Sequence, residues 1–371
     1  MAFATSELTV SYDSLKMDDG KEARRLLEEQ GIVIVSGVLS ARECERAESG
    51  ESGESGLGKF ARDHHHRRGI VFAEGAAHLE PMWELRLNKR VQQTFANVLK
   101  CDVDELVVSL DRFNWDHGRA SAASPSRPPR GWGDLKLHLD LNPFSPDGQS
   151  DEVFYQGVVT LSAGQNEWSA GTTGVCGSHK HFGEFDHSSF SSTDGDFCVL
   201  SKKGIDLLKR RGLHPHHLVA PRGSITIFSS RLVHCGRSAK DGSHRCAAYV
   251  TLARLRSVSA GRTLESMIPI PQKVIAMQFG RGTTHWVDGR VLTGSGNLEL
   301  PPIAKTEEAR MLAGALCRPP CEEAKRKRPD GDVGAAAGDA RARAGAAALA
   351  RASGRSDGTP GSSNELAIVL E

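Results

Sequence analysis

The spacing of apolar positions changes character along the chain, and so do the elements it predicts. Lys21–Gln30 reads as a short amphipathic helix, Ile32–Val35 as a strand, and Ser40–Glu48 as a second helix with Ser40 as its N-cap. Pro81–Cys101 is expected to form one longer helix, with Trp83, Leu85, Leu87, Val91, Phe95 and Val98 supplying its apolar faces. Beyond it the helical period gives way to apolar or alternating runs at Glu105–Leu110, Leu135–Leu141, Val153–Leu161, Ser224–Phe228 and Cys246–Leu252, punctuated by Gly, Pro, Asp and Ser. Mixed elements followed by strands at these spacings predict a mainly β protein with flanking helices, a sandwich or barrel with the helices packed outside it.

Composition sets limits around that pattern. A chain of 371 residues accommodates one large domain or two ordinary ones. Ala and Gly supply 18 of the 34 residues from 330 to 363, with no aromatic residue among them, which leaves too little apolar surface to offset chain entropy. The expected division is a single domain over 1–300, made of an N-terminal flank 1–104, a β core 105–255 and an extension 256–300, followed by a disordered low-complexity tail over 301–371. Glu48–Gly56, a Glu-Ser-Gly triplet repeated three times, reads as a flexible loop.

A formal net charge of +1 argues against a nucleic-acid coat on global electrostatics. No run of 18 apolar residues provides a spanning helix, and Met1–Val10 lacks the basic and apolar regions of a signal peptide. An intracellular address follows, cytoplasmic unless the basic run Lys325-Arg-Lys-Arg328 engages a nuclear import receptor. The eight cysteines are expected to be free thiols, and Cys317 and Cys321 lack the second half of a zinc site.

Chemistry concentrates in a few positions. His138 and Asp140, two apart on a strand, point to the same face and can grip one ion, and His234 follows a later strand as a third ligand. Two imidazoles and one carboxylate leave the opposite positions of a metal open, the arrangement Fe(II) needs to hold a co-substrate and oxygen together. Arg245 opens the apolar strand eleven residues after His234. Turned inward there, it would be a costly buried charge unless it met an anion, and a planar guanidinium suits a carboxylate. The histidines of His64–His66 and of His214–His217 are expected in solvated loops, and Thr284-His285-Trp286 in packing.

In order along the chain, His138-Leu139-Asp140, Cys176-Gly177-Ser178-His179-Lys180, the Gly223-Ser224 turn before Ile225–Phe228, Arg231–His234 and Arg245 resemble the phytanoyl-CoA dioxygenase-like Fe(II)/2-oxoglutarate oxygenases. Gly31–Leu39 is similar to that family's opening strand, and the likeness covers roughly residues 20–255. It implies a double-stranded β-helix of jelly-roll, cupin-like form, with iron on His138, Asp140 and His234 and the distal carboxylate of 2-oxoglutarate on Arg245. It also implies a reaction that consumes O2 and 2-oxoglutarate, releases succinate and CO2, and hydroxylates a small-molecule or acyl substrate, with ascorbate as reductant. Gln156 and Thr160, on one side of their strand, are candidates for touching 2-oxoglutarate. Arg112 and Arg231 are candidates for the substrate, with structural ion pairs as the competing role. Two other readings stand beside this one: a cupin-type metalloenzyme that uses the same ligands without 2-oxoglutarate and has no need of Arg245, and a non-catalytic binding protein that kept the fold.

Overall fold

Lys21–Gln30 is helical between Gly20 and Gly31, both in the left-handed region, and Ala41–Ser49 is helical behind a complete capping box between Ser40 and Glu43. These elements belong to a computed structural model that describes residues 5–50, 55–66, 69–116, 132, 135–239, 242–254, 269–288, 292–294 and 298–316. All of them fall within one unit, Met1–Pro319. The second unit, Pro320–Glu371, which holds the Lys325–Arg328 run and the Ala- and Gly-rich stretch, lies outside the described residues, as does most of the Arg119–Gly133 loop.

Two six-stranded sheets form the body of the fold. The first runs, in spatial order, Thr9–Ser11, Ile32–Ser36, Ile225–Ser229, Tyr155–Thr160, Arg245–Tyr249, Phe113–Asp116; the second runs His216–Leu218, Gly171–Gly174, His234–Arg237, His138–Leu139, Phe197–Leu200, Phe190–Asp194. From Phe113 onward the chain passes back and forth between the sheets, which makes the body a double-stranded β-helix, mainly β with helices outside. Ile32, Ile34, Val158, Phe228 and Ala247 of the first sheet meet Leu218 of the second in the interior. The outer face of the first sheet (Val33, Val35, Val159, Ile225, Ile227, Cys246, Ala248) is covered by helical Leu26, Leu27, Val91 and Phe95. A separate cluster, Leu137, Leu139, Val233 and Cys235 with Phe182, Phe185 and Leu208, backs the second sheet. This double coverage explains why the strands read as continuous apolar runs.

Several expectations change. Pro81–Cys101 is two helices, Glu80–Leu87 and Lys89–Leu99, because Asn88 adopts an extended backbone and its side chain caps the second by accepting from the main-chain N–H of Arg90 and Val91. Of Leu135–Leu141 only His138–Leu139 enters a ladder, and the run after Cys246 divides so that Leu252–Arg254 pairs with Leu106–Val108 in a small sheet of its own. His216–Leu218 is an edge strand of the second sheet rather than a loop. Ordered structure also continues past residue 300. Pro302–Lys305 and Glu307–Leu312 pack with Ala304, Ala309 and Ala313 against Trp83 and Leu110, small side chains whose composition resembles low complexity but whose size permits close approach to an indole. The turn into Ile225–Ser229 requires Gly223, whose φ is 76° and where a Cβ would lie 2.3 Å from the Leu39 carbonyl oxygen. Cys44, Cys101, Cys176, Cys198, Cys235 and Cys246 are free, and no described helix is long and apolar enough to cross a membrane.

Candidate metal centre

Neighbouring strands of the second sheet bring His138 and His234 directly opposite one another in register. Asp140 follows its strand and returns to the same face, as the period of two requires. The result is one group of ligand atoms from His138, Asp140 and His234, all within 4.8 Å of one another. His234 Nε2 is 3.2 Å from Asp140 Oδ2, and His138 Nε2 is 3.8 Å from Asp140 Oδ1.

Both imidazoles are oriented from behind. His138 Nδ1 is 2.8 Å from the Lys136 carbonyl oxygen and His234 Nδ1 is 3.0 Å from that of Leu232, so each Nδ1 donates and each Nε2 is left to face inward. The ring of Phe197 lies 4.6 Å from that of His138, and the ring of Phe228 lies 4.7 Å from that of His234. The Gly-Ser-His segment acts here through Ser178, whose hydroxyl accepts from the main-chain N–H of Val233 at 2.9 Å and thereby fixes the residue before His234.

The electrostatics suit a cation. Burial alone would raise the Asp140 carboxyl, but the adjacent His234 and then His138 outweigh it and hold Asp140 well below the ordinary carboxylate range. Burial pushes His138 down to about 4, with His234 beside it adding to the effect. For His234 burial acts downward, and contact with the Asp140 carboxylate reverses the sign and raises it. A permanently ionised carboxylate, one neutral imidazole and one imidazole whose proton a metal can displace form a mixed N/O donor set that fits a divalent ion with open positions.

The fold has a solved counterpart. GlcNAc Inducible Gene 2, GIG2, from Candida albicans aligns over 94% of this chain and 86% of its own at a TM-score of 0.55 and 12% identity. Lower scores are found for EctD from S. alaskensis with bound Fe, at 0.41 with 15% identity over 63% of this chain and 76% of that one. The non-heme alpha ketoglutarate dependent carbocyclase SnoK from nogalamycin biosynthesis scores 0.40, with 14% identity over 62% and 83%. No family model matches the sequence, and no curated protein does. The likeness to GIG2 is one of fold.

The remaining candidates separate into two groups. Gln156 reaches the centre through Asp140: its Nε2 donates to Oδ2 at 3.1 Å. Thr160 stands opposite Ala247 on the neighbouring strand, and Ala247 belongs to the interior cluster, so Thr160 and Arg245 share the interior face. Arg245 is 6% exposed, and its neighbours include Tyr249, whose hydroxyl also meets Asn114. Asp116 is its partner in register, yet Arg245 makes no ion pair with any described carboxylate. Arg112, by contrast, lies 3.5 Å from Asp111 and stacks 4.6 Å from the Phe72 ring. Arg231 donates to the carbonyl oxygens of Ser150 and Glu152 and lies over Phe182. Both have protein partners of their own.

Sequence reasoning assigned His285 to packing. Its Nε2 is buried without a hydrogen-bond partner among the described residues. No local pattern marks it, since it arrives from the segment after the helix Pro271–Phe279, far along the chain from the triad.

Proposed function

We propose that this chain is a non-haem Fe(II)- and 2-oxoglutarate-dependent dioxygenase of the phytanoyl-CoA dioxygenase-like kind, hydroxylating a small-molecule or acyl-type substrate. The observation that carries this reading is the pairing of a two-histidine, one-carboxylate centre with Arg245, a buried cation on the interior face of the same barrel that makes no ion pair with a carboxylate among the described residues. A buried guanidinium without a counter-charge is costly, and a dicarboxylate that reaches from the metal to Arg245 would supply one.

His138, Asp140 and His234 would hold Fe(II), which when bound supplies the oxygen activation that couples decarboxylation of 2-oxoglutarate to hydroxylation, with ascorbate keeping the iron reduced. Arg245 would bind the distal carboxylate and fix the orientation of the co-substrate, with Thr160 and the Tyr249 hydroxyl beside it. Gln156 would hold the Asp140 carboxylate in its binding rotamer. The apolar interior formed by Ile32, Ile34, Val158 and Phe228 would exclude water from the reacting groups.

The test is succinate and CO2 release from 2-oxoglutarate by the purified chain with Fe(II) and ascorbate, with and without candidate substrates. Asp140→Ala should abolish the release. Full turnover in that variant would overturn the ligand assignment, and an absence of both turnover and 2-oxoglutarate binding in the wild type would overturn the reading as a whole.

A further inference from the structure

The C-terminal extension contains a cavity of about 480 Å³, within the range of roughly 300–1,000 Å³ typical of small-molecule sites. Its walls are the helix Pro271–Phe279, the segment 298–300, and the helices Pro302–Lys305 and Glu307–Leu312 with Ala315 beyond them. None of its lining residues belongs to the His138, Asp140 and His234 group or to either six-stranded sheet. The floor is apolar: Met277, Leu300, Ala304 and Ala315 are buried and belong to the cluster that packs around Trp83. Val274, 36% exposed, continues that surface to the mouth, where Gln278, Glu299, Lys305 and Arg310 are exposed.

Both walls are anchored by the chain itself. At one end of Pro271–Phe279 the Ile270 N–H donates to the Gly314 carbonyl at 2.8 Å. At the other, Gly280 has a φ of 63° and allows an approach so close that a Cβ there would stand 2.7 Å from the Leu298 carbonyl oxygen. Between the two ends Lys273, fully buried, donates from its ammonium to the Val108 carbonyl at 2.6 Å and fixes the rotation of the helix. On the facing side Thr306 caps Glu307–Leu312 by accepting from the Ala309 N–H at 3.2 Å.

The rim charges do not cancel. Lys305 Nζ lies 2.7 Å from Glu299 Oε1, which matches one cation with one anion. Arg310 makes no ion pair and no side-chain hydrogen bond with any described residue, and Glu308 on the same helix is taken by Lys89. One unmatched guanidinium therefore stands over an apolar floor, which complements a molecule with one anionic end and an apolar body. A planar guanidinium suits a carboxylate in particular. We propose that this cavity binds a small amphiphilic carboxylate, its acid group on Arg310 and its hydrocarbon chain on Met277, Leu300 and Ala304, where apolar burial supplies the remaining affinity. The site shares no residue with the candidate metal centre and stands independently of the metal-binding reading.

The experiment uses the full chain and octanoate, titrated calorimetrically below its micelle concentration, with octanol as the uncharged probe of the same chain length. The wild type should bind octanoate about tenfold more tightly than octanol, the contribution of one charge-assisted contact. Arg310→Gln should remove that preference and leave octanol within about twofold of the wild type. Val274→Asp, which sets a like charge on the apolar wall, should weaken octanoate about tenfold or more. Both positions are exposed, so both variants should fold, and urea midpoints matching the wild type check this. Absence of octanoate binding by the wild type overturns the proposal. So does binding that neither substitution changes, because the ligand then sits elsewhere, the interior of the barrel included. Should Val274→Asp fail to fold, Arg310→Gln decides alone: an unchanged preference for octanoate over octanol rejects the site.

Discussion

Gln156 Nε2 donates to Asp140 Oδ2 across 3.1 Å, joining the first sheet to the carboxylate of the triad on the second. A residue expected to touch 2-oxoglutarate thus holds the carboxylate of the candidate metal centre. Groups that orient ligands typically carry 10- to 100-fold of metal affinity. Gln156→Leu should therefore weaken Co(II) or Fe(II) binding about tenfold, measured by competition with a chromogenic chelator. Unchanged affinity would show that Asp140 is held adequately by His234 alone.

Arg245 should separate the 2-oxoglutarate reading from the cupin-type alternative. Replacement by Met should weaken 2-oxoglutarate binding about 100-fold, on the order of 3 kcal/mol for a charge-assisted, two-pronged contact, and leave metal affinity within about twofold. Lys should recover only part of the loss, because an ammonium lacks the planar fork. Calorimetric titration of the metal-loaded protein under anaerobic conditions reads this directly, and equal affinities in wild type and Met variant would remove Arg245 from the co-substrate site.

His78 provides a pH prediction away from the metal. Burial holds its imidazole down to about 3, against 6.5 for the free side chain. The folded chain keeps His78 neutral while the unfolded chain takes up a proton below about pH 6.5, so stability is present above that value and is lost as the pH falls toward 3. Between pH 7 and pH 5 this one group should remove about 2 kcal/mol. Urea titrations at the two pH values should show His78→Gln losing less stability on acidification than wild type; parallel losses would contradict the assignment.

Arg86 tests how buried polar groups anchor the helix Glu80–Leu87. Its fully buried guanidinium donates to the carbonyl oxygens of Ala77 and Asp111, at 2.7 and 2.6 Å. Arg86→Met leaves two buried acceptors without a donor, at about 1–3 kcal/mol each, while it relieves the desolvated cation that burial already pushes down to about 9. A net loss of about 2–4 kcal/mol in urea unfolding is expected. A neutral result would mean that the two costs cancel.

The ordered structure beyond residue 300 gives a truncation test. A chain ending at residue 300 loses Ala304, Ala309 and Ala313 from the core around Trp83 and Leu312 from the main core, and should unfold at markedly lower urea than one ending at Pro319. Identical midpoints would return the boundary to 300.

What the sequence determined by itself was local and periodic. The cap at Ser40, the apolar runs at Ile32 and Ile225 and the shared face of His138 and Asp140 all follow from rules that act over two to four residues. The donor types, too, are legible wherever they stand. The tertiary structure decided which distant groups meet. It set His234 opposite His138, turned Gln156 onto Asp140, and left Arg245 without an ion pair to any described carboxylate. It also made a core of Ala304, Ala309 and Ala313, whose small side chains are meaningful only against the indole they touch. Periodicity specifies the face a side chain occupies, whereas its partner across that face depends on sheet register and chain return, which only the packed fold supplies.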